Sequence, residues 1–325
     1  MTPPDYEYLR KLLRDHSGLD LSADKQYLIE SRLLPLARKA GLAGIGELVQ
    51  KLKGGPIALV TQVVEAMTTN ETFFFRDKVP FEHFRDVIMP DVLRARANRK
   101  SVRIWCAAGS TGQEPYSLAM SLKEMGAALG GWRVEIVATD LSQDVLEKSR
   151  AGIYSQFEVQ RGLPIQLLVK YFKQQGELWQ INADIRAMVQ HRQFNLLHDF
   201  SQLGTFDVIF CRNVLIYFDQ ETKSNIFGRL AKTVEPDGFL VLGAAETVVG
   251  LTEAFRPVSD RRGLYRPRLG RARAFRWLLG AQHPSLGYGG GDRSRARGRR
   301  LRVGHRRPPD HAEKRCHRLR QRGYP

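Results

Sequence analysis

The stretch VRIWCAAGSTGQEPYSLAM, residues 102–120, decides the fold. Its opening run is apolar and reads as a buried strand, and its close reads as a helix in which Pro115 suits the first turn. Between them Ala107, Gly109 and Gly112 occupy the places of a glycine-rich strand-to-helix turn. Three more short apolar runs follow, VEIVATD at 134, FDVIFC at 206 and FLVLG at 239. Helical segments near 115–126, 142–150 and 221–233 separate the runs. Alternation of this kind marks an α/β fold with a doubly wound, mainly parallel sheet covered on both faces. Such sheets bind ligands at the carboxyl ends of their strands, so the chemistry is sought there.

Upstream, residues 1–70 carry helical periodicity only. Tyr6, Leu9, Leu12 and Leu13 form one apolar stripe, and Ile57, Val60, Val63, Val64 and Met67 another. A small helical domain is therefore expected over 1–70, a linker contributing to the site over 71–98, and the sheet domain over 99–266. Ser22 is placed to cap a helix through KQYLIESRLL, which Pro35 should kink or end while the chain continues helically toward Gly41. Lys25, Arg32 and Lys39 recur every seven residues, as a docking face for an acidic helix or as a solvated face. Residues 163–195 interrupt the alternation, either as a small antiparallel excursion or as a connecting loop with a final sheet strand.

The chain carries a net charge of +17, but residues 266–325 hold 18 Lys and Arg against 3 Asp and Glu. The remaining body is net +2, which removes the support for a nucleic-acid or membrane reading of the whole protein. Residues 267–325, rich in Arg, Gly and Pro, lack the aliphatic runs a core needs and read as a disordered or out-of-frame tail. The other reading is an RNA- or lipid-binding tail with RAFRWLL as an amphipathic anchor. Cys106, Cys211 and Cys316 stand alone, and His83, His191 and His198 have no metal-ligand spacing, so no disulfide framework and no metal are expected. MTPPDYEYLRKLL lacks a signal-peptide arrangement, and no apolar run approaches the roughly 20 residues of a membrane span. A cytoplasmic protein without membrane insertion is expected.

The turn at 107–115 alone does not name a ligand. A dinucleotide would set its pyrophosphate against the helix N-terminus, where the Glu114 carboxylate would repel it. A cationic cofactor suits Glu114 better, and S-adenosylmethionine carries positive charge on both its ammonium and its sulfonium. Asp140 ends the second run, 26 residues after Glu114, where an acid can accept both hydrogen bonds of a ribose diol; capping the following helix is its other reading.

Six blocks then match one family. TTNETFFFRDKVPFEHF at 68, WCAAGSTGQEPYSLAM at 105, ATDLSQDVLEKSRAGIY at 138, FNLL at 194, FDVIFCRNVLIYFD at 206 and PDGFLVLGAAE at 236 make residues 1–266 resemble the CheR family of chemotaxis receptor methyltransferases. The resemblance implies an all-helical N-terminal domain joined to a class I methyltransferase domain that takes S-adenosyl-L-methionine and no metal. It implies that Asn70, Thr72 and Arg76 reach the cofactor from the linker, that Glu114 binds its methionine part and that Asp140 binds its ribose. Asn195 and Leu196 would flank the adenine, Arg212 and Asn213 would supply further contacts, and Tyr217 would lie near the transferring methyl. The implied activity is methyl esterification of glutamate side chains on the cytoplasmic helical region of chemotaxis receptors, with Arg76 and Tyr217 orienting the carboxylate. Gln113 departs from the family, which usually has a second acid there. QGELWQINADIRA is short and lacks the glycine-containing loop with which some members grip a receptor's C-terminal peptide, so independence of that tether is expected. A non-catalytic S-adenosylmethionine-binding scaffold and a nucleic-acid or small-molecule methyltransferase are the competing readings.

Overall fold

The computed structural model describes residues 1–258 and 263–268, so the predicted tail, apart from Pro267 and Arg268, lies outside the described residues. The N-terminal part is a bundle of α1 (Pro3–Ser17), α2 (Gln26–Lys39), α3 (Ile45–Leu52) and α4 (Ile57–Met67). Thr2 starts α1 through a capping box: its hydroxyl accepts from the Asp5 N–H at 3.3 Å, and the Asp5 carboxylate accepts from the Thr2 N–H at 3.0 Å. Gly18, left-handed at φ 75°, ends it. The apolar stripes meet in one core of Leu9, Leu13, Ile29, Leu33, Leu48, Val63 and Met67, all buried, but Ile57, at the start of α4, is exposed and lies outside it.

The capping expected of Ser22 is not realised: Ser22 precedes a single 3-10 turn, Ala23–Lys25, and makes no side-chain capping bond. The chain continues helically past Pro35 to Lys39, as expected, and the buried Ile29, Leu33 and Ala37 of α2 stay on one face across it; packing of that face outweighs the lost hydrogen bond. Arg32 is no member of a free cationic face. Its guanidinium donates to the Met67 and Thr68 carbonyls at 2.7 and 3.1 Å and to the Thr69 hydroxyl at 3.0 Å, satisfying the carboxyl end of α4.

A linker leads to α5 (Val79–His83), a π-helical stretch (Phe84–Ile88) and α6 (Met89–Ala95). The sheet domain then runs β1 (Ser101–Ala107), α7 (Gln113–Glu124), β2 (Arg133–Asp140) and α8 (Gln143–Ala151). Next come β3 (Ile153–Ser155), α9 (Gln156–Gln160), α10 (Ile165–Tyr171), β4 (Phe172–Gln175) and β5 (Leu178–Ile181). The chain closes with α11 (Ala183–Arg186), β6 (Val189–Gln193), β7 (Phe206–Cys211), α12 (Gln220–Thr233), β8 (Val234–Leu242), β9 (Phe255–Pro257) and β10 (Leu264–Pro267).

The large sheet has the order β6-β2-β1-β7-β8-β10-β9. Its first five strands are parallel, and β10 and β9 add an antiparallel edge. Along β1 the buried side chains alternate between two cores, Ile104 and Cys106 on the α7 side and Trp105 and Ala107 on the α12 side. For 163–195 the antiparallel excursion is realised in place of a connecting loop: β3, β5 and β4 form a separate antiparallel sheet, and β6 follows as the edge strand of the large one. At the amino end of the sheet, buried Asp207 accepts from Arg96 Nε and Arg99 Nη2, each at 2.6 Å, tying α6 and its sequel to β7. The opposite end is left for the site.

Candidate active site

The carboxyl ends of β1, β2 and β7 open into a cavity that reaches solvent. Asn70, Thr72, Arg76, Glu114, Asp140, Asn195, Leu196, Arg212, Asn213 and Tyr217 all line it. The wall facing the sheet comes from the linker and from Ser17, Leu19, Val64 and Met67 of the helical bundle, four residues the sequence reading did not select. Apolar spacing marked Val64 and Met67 only as core, and Ser17 and Leu19 stood outside the apolar stripes.

The β1–α7 turn is tight. Ala108 and Ser110 are left-handed, at φ 67° and 49°, as is Gly112 at φ 98°. A Cβ on Gly112 would stand 2.3 Å from Ser149 Oγ, so the turn closes on α8 only without a side chain. The closure brings the Ser110 N–H to Asp140 Oδ2 at 2.9 Å, while the Ser142 N–H meets Oδ1 at 3.1 Å. Each oxygen keeps a further lone pair for a hydroxyl. Burial raises the Asp140 carboxyl above its ordinary value, against the pull of these N–H bonds. Asp140 does not cap α8, whose N-cap residue is Ser142 and which has no side-chain capping bond; its carboxylate lines the cavity instead.

Glu114 is not an open carboxylate. Arg212 Nη1 holds its Oε2 at 2.7 Å, while Arg212 Nη2 reaches Asp77 Oδ2 at 2.7 Å and the Arg76 carbonyl at 3.0 Å. Burial pushes the Glu114 carboxyl up, and the guanidinium opposes this. Arg212 is itself buried, and its Nε has no hydrogen-bond partner among the described residues. An orphaned donor at a cavity wall suits an acceptor-bearing ligand such as an amino-acid carboxylate, and the adjoining Glu114 suits its ammonium. The donor set thus fits the cofactor that the sequence suggests.

Asn195 lines the cavity and also joins α1 to the sheet domain: its Nδ2 donates to the His16 carbonyl at 2.7 Å and its Oδ1 accepts from the Leu197 N–H at 2.9 Å. The bundle also holds the segment of Tyr217. The Asp20 N–H donates to the Tyr217 carbonyl at 2.9 Å, Arg14 pairs with Asp219 at 2.6 Å, and a Cβ on Gly18 would stand 2.6 Å from the Phe218 ring. Arg76, on the linker, donates to the Glu71 carbonyl at 2.7 Å and lies over the Phe73 ring.

One buried acid escaped the sequence reading. Glu246 Oε2 accepts from the Asn213 and Gly243 N–H groups at 2.8 and 2.7 Å, and Oε1 from Val214 and Leu215 at 3.0 and 2.8 Å. It holds Asn213 left-handed at φ 59° and so sets the loop leading to Tyr217. The only signal was an acid closing the PDGFLVLGAAE block. The Cys106 and Cys211 thiols are buried in the strands, which pushes both well up and leaves them inert.

Comparison with known proteins was made against this geometry. Residues 4–68 match the CheR methyltransferase all-alpha domain, and residues 70–264 match the CheR methyltransferase SAM binding domain. The chain belongs to the CheR methyltransferase family. The chemotaxis protein methyltransferase Cher2 of Pseudomonas putida is 41% identical over 265 residues, covering 80% of this chain and 96% of that protein. Chemotaxis protein methyltransferase 1 of Pseudomonas aeruginosa is 41% identical over 266 residues, again 80% of this chain and 96% of its own length. The Escherichia coli chemotaxis protein methyltransferase is 34% identical over 256 residues, covering 77% of this chain and 86% of its own. The cavity of this CheR protein lies between its two matched domains, at the ends of the parallel strands. Among the described residues no helix is long and apolar enough to cross a membrane.

Proposed function

We propose that this protein transfers a methyl group from S-adenosyl-L-methionine to glutamate side chains in the cytoplasmic helical region of chemotaxis receptors, forming methyl esters. The observation that carries the reading is the convergence of Asp140 and the Glu114–Arg212 pair with Arg76 and Tyr217 on one cavity. The cofactor supplies an electrophilic methyl on a sulfonium. Asp140 takes the ribose, Glu114 and Arg212 the methionine part, and Leu196, beside Asn195, flanks the adenine; Asn70, Thr72 and Asn213 complete the shell.

A glutamate, with an ordinary pKa of about 4.3, is already ionised at neutral pH, so the chain needs to provide neither a base nor a nucleophile. Its task is alignment and exclusion of water, because charge is neutralised as the methyl moves and solvation of separate ions opposes the reaction. Arg76 orients the incoming carboxylate, and the Tyr217 hydroxyl shares that role. Too tight a grip by Arg76 alone would stabilise the ground state, so dividing the contact favours transfer. The two-residue β4–β5 turn at Gly176 and Glu177 supports a member that works without a receptor peptide tether. The near-neutral body supports a protein acceptor over a nucleic acid. The proposed location is the cytoplasm.

The test is transfer of labelled methyl from S-adenosylmethionine to receptor-containing membranes by the wild type, Arg76→Ala and Asp140→Ala. Base-labile label on the receptor with the wild type, lost in both variants, is expected. Cofactor binding without labelled acceptor would replace this reading with a non-catalytic, cofactor-binding role.

A further inference from the structure

Arg161 is not a wall of the cavity, yet it is joined to the wall through the linker. It follows α9, and its guanidinium lies 4.3 Å from the centroid of the Phe73 ring while Nη2 meets Glu71 Oε1 at 2.7 Å. Arg76 lies over the same ring at 5.6 Å and donates to the main-chain carbonyl of the same Glu71. Two guanidiniums therefore converge on Phe73 and Glu71, and Glu71 does line the cavity. The turn carrying Arg161 is fitted to the linker by Gly162. That residue has φ 85°, and a Cβ on it would stand 2.1 Å from the Phe74 carbonyl oxygen. Backbone lies against backbone, which sets the point from which Arg161 reaches.

We propose that Arg161 is a third residue orienting the acceptor, beside Arg76 and Tyr217, and that Glu71 is a resident carboxylate occupying the acceptor's place on it. When the acceptor docks, its carboxylate displaces Glu71 from Arg161 and enters the cavity mouth beside Arg76. This rests on the glutamyl-transfer reading above. Glu71 carries the same chemical group as that acceptor, and the nearby Arg76 adds to the attraction Arg161 exerts on it, so its carboxyl sits below the ordinary value. The side chains of Arg161 and Glu71 are 42% and 56% exposed. Water screens such a pair, and one carboxylate exchanges for another at little net cost, as a buried pair would not allow.

The exchange also runs in reverse after transfer. An acceptor oxygen forms a bond to the methyl carbon, the carbon–sulfur bond breaks with its electron pair left on sulfur, and no proton moves. The ester is neutral and no longer offers Arg161 a charged partner, so Glu71 returns and favours release.

Steady-state kinetics with a soluble helical chemoreceptor fragment, and calorimetry with S-adenosylmethionine, separate an exchange from a structural brace. Arg161→Ala is expected to raise the acceptor KM about tenfold and Glu71→Gln to lower it about threefold, with cofactor Kd within about twofold in both. Arg161→Lys should recover part of the loss. Shifts of the same sign in both variants, or an unchanged KM in Arg161→Ala, would overturn the proposal. Binding of the same fragment in the presence of S-adenosylhomocysteine carries the same opposite-sign expectation without turnover. A wild type that forms no base-labile ester would thus remove the proposed function, while the binding result would still decide the exchange.

Discussion

Replacing Glu246 by Gln tests how far the site depends on one buried acid. Four N–H donors, at 2.7–3.0 Å, converge on its two oxygens, an arrangement that suits an acceptor-only group. Glutamine exchanges one oxygen for an NH2, so two of those bonds are lost and a donor is turned toward two donors. At about 1.5–3 kcal/mol per bond to a charged acceptor the loss is roughly 3–6 kcal/mol, and relaxation of the flanking loop takes it toward the lower figure. For an ordered body of this size each kcal/mol moves Tm by about 2–4 °C, so a fall of roughly 6–12 °C is expected. Release of Asn213 from its left-handed conformation should also weaken S-adenosylmethionine binding by about tenfold, since the loop holds Arg212 and Tyr217 on either side. Circular-dichroism melting and calorimetry read the two effects. A Tm within about 2 °C of wild type together with an unchanged Kd would refute the reasoning, because the loop would then be held by its own packing.

Gly162→Ala should lower stability by roughly 2–4 kcal/mol, because the left-handed backbone and the close Phe74 carbonyl are both incompatible with a Cβ. A urea midpoint equal to wild type would contradict the contact between the Arg161 turn and the linker. His191, whose Nε2 lies 2.6 Å from Ser149 Oγ, is pushed by burial from 6.5 to about 4. Below about 6.5 the unfolded chain then binds more protons than the folded one, so stability should fall as pH drops toward about 4. His191→Asn should flatten that slope in urea titrations at several pH values; an identical slope in the variant would assign the acid sensitivity to other groups.

Much of the architecture was legible because it follows from local rules. Residues 102–107, 134–140, 206–211 and 239–242 are apolar enough to be strands buried on both faces, and the segments between them alternate as helices. Spacing was a weaker guide wherever a distant partner decided the outcome. Arg32 falls on a seven-residue period with Lys25 and Lys39, but the nearest unsatisfied acceptors are the carbonyls ending α4, some 35 residues away in sequence.

For the site, sequence by itself determined which residue types stand at the ends of the parallel strands: a glycine-rich turn, an acid at 114 and an acid at 140, each fixed by position in a strand-turn-helix unit. Only the tertiary structure decided what those groups face. It turned Glu114 toward Arg212, engaged the Asn195 amide with His16, brought the bundle in as a cavity wall and set four loop N–H groups around Glu246. The physical reason is that the position of a strand end is a local property of the chain. The partner of a buried polar group is chosen by whichever donors and acceptors folding brings within about 3 Å, however remote they are in sequence.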